Sequence, residues 1–302
     1  MYDILVIGGG VAGLTAALYA KRAGKSVLVV EKATYGGQIT WSPKVENYPS
    51  VPSISGMELG DRFTAQAEAA GVDMEFDEVT SLEKNAEGFL AQTAFGEAYS
   101  AKTVIFATGA KPRPLGVERE QDMVGKGISY CAVCDGEFYR GKDVAIVGGG
   151  NTALQEALYL ADLCQSVTLI HRREQFRADE ALVSAVYNRE NIELVTPAVV
   201  SALEGEEHLE AITLRYTDGR IAYLPIDGLF VAVGHLPENE LFGNFVDQTE
   251  GGYADANEDC LTKTPGIFVA GDCRAKAVRQ LTTAVADGTV AALAACHYLD
   301  TL

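Results

Sequence analysis

Positive charge is scarce in this sequence, and histidine is scarcer still. The 302 residues include 24 Lys and Arg against 42 Asp and Glu, so the formal net charge is −18, and there are only 4 His. Such a chain repels the phosphodiester backbone of nucleic acids, and it lacks the basic clusters that bind anionic membranes. We therefore expect neither a nucleic acid nor a membrane among its partners.

Long hydrophobic runs are also lacking, apart from one near the start. Residues 4–20 carry no charge, but no Lys or Arg precedes them, and Asp3 stands where a signal peptide has positive charge. The run is too short and too rich in glycine for a membrane-spanning helix, and it is typical of a buried strand, a turn and the start of a helix. We expect a cytoplasmic protein.

Cysteine is sparse as well. The 6 cysteines do not suggest a disulfide scaffold in a chain of this size. Cys131 and Cys134, in "SYCAVCDG" (129–136), form a Cys-x-x-Cys pair. Such a pair serves as half of a zinc site, as a structural disulfide or as a redox-active dithiol.

An internal repeat is the strongest feature that is present. The segment "YDILVIGGGVAGLTAALY" (2–19) aligns with "KDVAIVGGGNTALQEALY" (142–159), and each copy has the pattern of an apolar strand, a glycine turn and a helix. The glycine motif is Gly8, Gly10 and Gly13 in the first copy and Gly148, Gly150 and Ala153 in the second. In a dinucleotide-binding turn these positions allow a tight turn, close approach of a pyrophosphate, and helix–strand packing. Two copies in register predict two dinucleotide sites.

The strands that follow the two motifs end differently. The first ends on Glu31, whose carboxylate suits a free ribose hydroxyl, as in FAD or NAD. The second ends on His171, Arg172 and Arg173, with Arg177 close behind. Cationic side chains at this position suit a 2′-phosphate, which favours NADP(H). A solvated basic loop is the alternative, although it is disfavoured in a chain with so few arginines.

Two similar segments mark the expected crossings between domains. Residues 102–116 and 229–243 each have a buried strand followed by a proline-containing connection. We therefore predict an α/β fold of two Rossmann-like dinucleotide-binding domains, the second inserted into the first. The discontinuous first domain comprises residues 1–111 and 243–302, and the second comprises residues 112–242 and carries the Cys pair.

A C-terminal segment is predicted to complete the first site. In residues 264–292 a strand is followed by Gly271 and Asp272, a loop and a long helix that begins near Arg279 and Gln280. Asp272 is expected to hold a ribityl hydroxyl, unless it is an ordinary turn residue. The helix N-terminus would place partial positive charge beside a flavin pyrimidine ring.

Together these motifs resemble the bacterial-type (low-molecular-weight) thioredoxin reductases of the pyridine nucleotide-disulfide oxidoreductase family. The resemblance covers essentially the whole chain and includes, beyond the glycine motifs, Gly36-Gly37-Gln38, "VENYP" (45–49), Thr108-Gly109, "CAVCDG" (131–136), "HRREQFRA" (171–178), Gly271-Asp272 and Arg279-Gln280. It implies FAD in the outer domain, NADPH and a redox-active disulfide in the inserted domain, a homodimer, and thioredoxin or a thioredoxin-like protein as the electron acceptor.

The resemblance also assigns residues to the cofactors. The residues that it places at FAD are Gly8, Gly10, Ala12, Gly13, Glu31, Gly37, Gln38, Asn47, Val79, Thr108, Gly109, Gly271, Asp272, Arg279, Gln280 and Leu281. Those that it places at NADPH are Gly150, Asn151, Thr152, His171, Arg172, Arg173 and Arg177. Gln155, Cys273 and residues 284–289 depart from the family pattern, and none of them belongs to the defining chemistry.

The Cys pair is then best explained as a redox-active dithiol. A structural zinc site needs four ligands, and Cys164, Cys260, Cys273 and Cys296 form no second Cys-x-x-Cys, so we expect no metal. A structural disulfide across so short a loop would stabilise little. The resemblance implies that reduced flavin opens the disulfide at Cys134, that Cys131 attacks the partner, and that Asp135 is the general acid/base. The alternative for Asp135 is a helix-start or turn residue.

Three questions remain open at the level of sequence. One is whether the donor or acceptor differs from NADPH and thioredoxin, with a ferredoxin or a glutaredoxin-like protein in its place. Another is whether the protein is a flavin-binding redox sensor without turnover. The last is how one dithiol reaches both the flavin and a protein partner, and the resemblance implies that the inserted domain rotates about hinges near 110–115 and 235–240.

Overall fold

The computed structural model describes residues 1–42 and 44–302. It divides into two units, of which the first is discontinuous. The outer unit comprises Met1–Lys111 and Leu236–Leu302, and the inserted unit comprises Pro112–His235.

The strands and helices alternate along much of the chain. The strands, in chain order, are β1 (Tyr2–Ile7), β2 (Val27–Glu31), β3 (Asp73–Phe76), β4 (Val79–Asn85), β5 (Gly88–Thr93), β6 (Ala98–Phe106), β7 (Ala110–Pro112), β8 (Ile128–Ser129), β9 (Asp143–Val147), β10 (Ser166–Ile170), β11 (Ile192–Val195), β12 (Ala198–Glu204), β13 (Ala211–Tyr216), β14 (Ile221–Pro225), β15 (Gly228–Val231), β16 (His235–Pro237) and β17 (Ile267–Val269). The α-helices are α1 (Val11–Arg22), α2 (Gly56–Ala69), α3 (Ala132–Asp135), α4 (Asn151–Ala161), α5 (Glu180–Tyr187) and α6 (Leu281–Asp300). Short 3-10 turns include Gly37–Trp41, Gly136–Tyr139 and Gly271–Cys273.

The outer unit is built on a mixed sheet with the order β3-β2-β1-β6-β5-β4. Strands β1, β2, β3 and β17 run parallel to their partners, whereas β4 and β5 form an antiparallel extension. Helices α1 and α6 pack together through small buried residues, including Ala16, Ala20, Ala291 and Ala295. Gly288 of α6 lies so close to the Ala12 carbonyl that a Cβ there would collide with it. The close contact of these helices holds the first turn of α1 against the segment around Gly271.

The inserted unit repeats the same plan on a smaller scale. Its parallel sheet has the order β11-β10-β9-β15-β8, and a separate antiparallel sheet has the order β12-β13-β14. The units β1–α1–β2 and β9–α4–β10 are equivalent, as the repeat predicts, and Gly10 and Gly150 are the N-cap residues of their helices. The third motif position must be small in both copies. A Cβ on Gly13 would collide with the Gly8 carbonyl, and Ala153 lies directly against Gly148.

The second domain boundary lies earlier than the sequence analysis placed it. The inserted unit runs from Pro112 to His235, and residues 236–242 lie in the outer unit. The reason is a set of contacts that the sequence pattern does not show. Asn239 Nδ2 donates hydrogen bonds to the carbonyls of Gly252 and Cys273, and Phe242 is fully buried in the outer core. The two connecting strands, β7 and β16, pair with each other.

No helix in the described part of the chain is long and apolar enough to cross a membrane.

Candidate functional site

A cavity of about 570 Å³ lies in the outer unit at the glycine turn. The first turn of α1 opens onto it, so the unpaired N–H groups of a helix N-terminus face the space. Gly8 adopts φ +108°, and a Cβ there would collide with the Ala107 carbonyl. This backbone therefore requires glycine. A Cβ on Gly10 would meet only the Gly37 Cα, at 3.9 Å, so the space beside the Gly10 backbone is open to a ligand, which suits a pyrophosphate.

Most of the residues that the sequence analysis assigned to FAD line this cavity. They are Gly8, Gly10, Ala12, Glu31, Gly37, Gln38, Val79, Thr108, Gly109, Gly271, Asp272, Gln280 and Leu281. These positions come from five separate parts of the chain, and the structure brings them together around one space.

Three other predicted residues stand behind the lining. Gly13 supports the turn by allowing α1 to approach Gly8. Asn47 Nδ2 donates a 3.3 Å hydrogen bond to Gln280 Oε1. The Arg279 guanidinium lies 4.1 Å from the centre of the Tyr253 ring and donates to the Asp272 carbonyl at 3.4 Å. Asn47 and Arg279 therefore position residues of the cavity wall.

Glu31 and Asp272 are the two predicted carboxylates that line the cavity. Glu31 Oε2 accepts from the Gly9 N–H at 2.6 Å and Oε1 from the Ala33 N–H at 2.7 Å, so the backbone holds the carboxylate in place. Asp272 Oδ1 is buried, lies 3.3 Å from Lys276 Nζ, and accepts no hydrogen bond from any residue that the structure describes. A buried acceptor with free capacity fits a hydroxyl donor on a ligand. The glycine cradle and this acceptor together fit FAD.

The cavity also has polar residues that the sequence analysis missed. Glu238 forms ion pairs with Lys111 at 2.7 Å and with Lys32 at 3.0 Å, and all three line the cavity. Burial opposes ionisation of Glu238, but the two lysines outweigh it and lower its pKa. Trp41, the single tryptophan of the chain, also lines the cavity and is 56% exposed. No local pattern indicated the ion pairs, because they join three distant segments.

The Cys pair lies at the start of α3 in the inserted unit. Cys131 and Cys134 form a disulfide with their Cα atoms 5.3 Å apart. Cys131 is the N-cap of α3, and its Sγ accepts from the Cys134 N–H at 3.2 Å. The N–H groups at the start of the helix favour negative charge on this sulfur. The arrangement therefore suits a sulfur that becomes a thiolate on reduction.

Asp135 lies at the end of the same short helix. The Ser129 hydroxyl donates to Asp135 Oδ2 at 2.7 Å, whereas Oδ1 is buried and has no hydrogen-bond partner among the described residues. Burial raises the pKa of this carboxyl, and the Ser129 hydrogen bond opposes part of the increase. Asp135 makes no cap hydrogen bond to any described residue, which argues against the alternative role as a turn residue. Its surroundings suit a group that holds a proton near the sulfurs.

A half-buried acid, Glu156 of α4, contacts the start of α3, where the Cys pair lies. The sequence analysis singled out its neighbour Gln155, which is exposed. Glu156 accepts from the N–H of Ala132, the residue that follows Cys131, and burial raises its pKa to about 7. The sequence signal is an acid on the apolar face of a helix, between Ala153 and Leu160.

The second glycine turn carries the residues predicted for NADPH. Asn151 forms two hydrogen bonds of 2.9 Å with Asp179, and Thr152 is exposed at the first turn of α4. His171 is buried, its ring stacks on Phe176, and a Cβ at Gly149 would collide with it. Its Nε2 has no hydrogen-bond partner in residues 1–42 and 44–302. Desolvation, aided by the nearby arginines, lowers the pKa of His171.

The arginines of this turn are available to an anion. Arg172, Arg173 and Arg177 are exposed, and none of them forms an ion pair within the portion of the chain that the structure describes. The Arg177 N–H bonds the Gly149 carbonyl at 2.7 Å, which fixes this loop to the glycine turn. The arrangement fits a dinucleotide with an extra phosphate. Among the described residues, no group of three or more His, Cys, Asp or Glu is arranged to hold a metal ion.

Comparison with known proteins identifies relatives over the whole length. Residues 2–288 match the family described as pyridine nucleotide-disulphide oxidoreductase. Thioredoxin reductase of Listeria monocytogenes is 37% identical over 100% of this chain and 95% of its own length, and that of Treponema pallidum is 39% identical over 100% and 98%. The crystal structure of thioredoxin reductase from Streptococcus pyogenes superposes with a TM-score of 0.94, at 37% identity, over 100% of this chain and 99% of that one.

Proposed function

The chain belongs to the thioredoxin reductases of the pyridine nucleotide-disulphide oxidoreductase family, and from this premise we propose that it carries electrons from NADPH through FAD and the Cys131–Cys134 disulfide to a thioredoxin-like protein. Membership makes it an oxidoreductase that uses a flavin and a pyridine nucleotide. The observation that carries the proposal is the Cys131–Cys134 disulfide beside the buried Asp135 carboxyl.

The residues of the chain divide the work as follows. A bound flavin converts the two electrons of a hydride into thiol–disulfide chemistry. Opening the Cys131–Cys134 disulfide takes two electrons, and we propose that they enter at the Cys134 sulfur. The Cys131 thiolate then attacks the partner's disulfide, and one partner thiol leaves. Cys134 attacks Cys131, which releases the second partner thiol and restores the disulfide. Asp135 holds the proton that a leaving thiolate takes up.

NADPH is proposed over NADH because of where the arginines lie. Glu31 ends β2 at the first glycine turn, and His171 follows β10 at the second, next to Arg172 and Arg173. A carboxylate at this position favours a free ribose hydroxyl, whereas guanidinium groups favour a 2′-phosphate. The second site therefore suits the phosphorylated dinucleotide.

The proposed route requires motion of the inserted unit. The disulfide must meet the flavin and later a protein partner, so we propose hinges in the connections near 110–115 and 235–240. A bifunctional cross-linker between the two units should stop multiple turnover yet leave one reductive half-reaction.

We also propose a homodimer. A cytoplasmic location suits the four free cysteines, all buried, since a reducing compartment maintains thiols.

Turnover with variants tests the proposal. The purified protein should reduce oxidised thioredoxin at the expense of NADPH, and Cys134→Ser should abolish this activity while NADPH still bleaches the flavin. Cys164→Ser is the matched control because Cys164 is buried in the same unit and has no proposed role. Normal thioredoxin reduction by the Cys134→Ser variant would refute the proposed mechanism.

A further inference from the structure

A buried cluster of charges lies beside the cavity of the outer unit. Asp287, on α6, is 5% exposed and forms ion pairs with Arg274 at 2.9 Å and with Lys276 at 3.1 Å. Arg274 is 2% exposed, and the Lys276 side chain is 5% exposed. Lys276 also forms an ion pair with Asp272, with 3.3 Å between Nζ and Oδ1. These four groups form one connected network, which the exposed Glu258 joins through Arg274.

This network reaches the cavity through the turn at Gly271. Asp287 Oδ2 accepts from the Gly271 N–H at 3.0 Å. Gly271 adopts φ +81°, and a Cβ there would come within 2.8 Å of Ala12 Cβ at the start of α1. Asp287 thus holds the backbone of the turn from one side while α1 confines it from the other. The position of the next residue, Asp272, follows from this constraint.

The charge balance of the cluster depends on Asp287. Its carboxylate contacts both buried cations, and Lys276 bridges it to the buried oxygen of Asp272. Without the Asp287 charge, the buried Arg274 and Lys276 would be left with only the partly exposed Asp272 and the exposed Glu258 as partners. Lys276 would then pair more strongly with Asp272 and compete with a hydroxyl for its oxygen, and net positive charge would remain beside the cavity.

We propose that Asp287 is a positioning residue for the flavin: it fixes Asp272 for the cofactor hydroxyls and offsets the positive charge of Arg274 and Lys276. This inference rests on the flavin site of the proposed function. Reduction adds negative charge to a flavin, so nearby positive charge raises its midpoint potential and nearby negative charge lowers it. Asp287 therefore lowers the potential, and Lys276 raises it.

Glu258 provides a matched control. It contacts the same arginine, at 3.3 Å from Arg274 Nη1, but its side chain is 91% exposed. Solvent screens such a charge, so its removal should change little. The comparison separates the buried charge of Asp287 from the general effect of removing an anion next to Arg274.

The experiment compares Asp287→Asn, Lys276→Gln and Glu258→Gln in the full chain. FAD affinity of each apoprotein is measured by quenching of Trp41, which lines the cavity, and far-UV circular dichroism confirms folding. The flavin midpoint potential is measured with the Cys131→Ser/Cys134→Ser background in every variant, so that the disulfide takes up no electrons. Activity is not needed as a readout.

We expect Asp287→Asn to weaken FAD binding at least about tenfold and to raise the potential. Lys276→Gln should lower the potential, and Glu258→Gln should match the parent protein in both. Shifts of the same sign for Asp287→Asn and Lys276→Gln would overturn the inference, as would parental affinity in Asp287→Asn. If Asp287→Asn does not fold, the other two variants still test the inference. Lys276→Gln should have a lower flavin midpoint potential than the parent protein, and Glu258→Gln should have the same potential. If the parent protein itself binds no FAD, the proposed function fails together with the inference.

Discussion

The Ser129 hydroxyl donates a hydrogen bond of 2.7 Å to Oδ2 of Asp135, and this bond fixes a buried carboxyl next to the redox disulfide. The same hydroxyl accepts from the Cys131 N–H at 3.1 Å. Ser129 therefore connects Asp135 to Cys131, and its two hydrogen bonds hold the carboxyl and the cysteine in a fixed relative position.

Asp135→Asn should slow thiol–disulfide transfer about 100-fold, since the loss of a positioned general acid/base typically costs at least that much. Flavin reduction by NADPH should keep its rate, because it involves no sulfur. Stopped-flow absorbance separates the two steps. Ser129→Ala should move the pH at which the transfer rate falls to a higher value, since the serine hydrogen bond opposes the raised pKa of Asp135. An unchanged transfer rate in Asp135→Asn would remove the aspartate from the mechanism.

Replacement of both Arg172 and Arg173 by alanine should raise the KM for NADPH about 100-fold and leave the KM for NADH almost unchanged. Charge-assisted hydrogen bonds to a phosphate contribute about 1.5–3 kcal/mol each. Steady-state kinetics with the two nucleotides measures the difference. Arg220→Ala is the control, because Arg220 is also exposed in the inserted unit but pairs with Asp218. Equal effects on both nucleotides would contradict the 2′-phosphate assignment.

Gly150→Ala should raise the KM for NADPH about tenfold without loss of stability. Gly150 has φ −103°, and no described atom lies within 4 Å of a Cβ placed there, so the protein itself tolerates alanine. A bound pyrophosphate approaches this position closely, so the added methyl group would collide with it. Nucleotide titration and thermal unfolding measure the two effects. A fall in stability with unchanged nucleotide affinity would show that the glycine serves the fold alone.

Glu156→Gln should change how stability depends on pH. Between its ordinary pKa of 4.5 and its folded value of about 7, Glu156 keeps a proton that the unfolded chain has released. The wild type therefore loses stability as pH rises through this window, and the loss is complete above pH 7. The variant lacks this loss and should gain up to about 3 kcal/mol on the wild type between pH 4.5 and pH 8. Urea unfolding across pH measures the gain, and the exposed Glu180→Gln should show none.

The glycine turns, the repeat and the Cys pair could be predicted from sequence because each depends on local geometry. Gly8 must adopt positive φ, and Gly13 must be small, whatever the rest of the chain does. The Glu238 ion pairs and the Asp287 network could not be predicted from sequence, since they join segments that meet only in the folded protein. The same holds for residues 236–242. Phe242 and Asn239 bind them to the outer unit through long-range contacts.

The most direct test of the account is anaerobic. One equivalent of NADPH is added to the purified flavoprotein, the flavin absorbance is followed, and oxidised thioredoxin is then added. The account predicts rapid bleaching followed by recovery, because electrons enter from NADPH and leave through Cys131 and Cys134. An intact flavin that NADPH does not bleach would contradict it, and would assign the donor role to another reductant such as a ferredoxin.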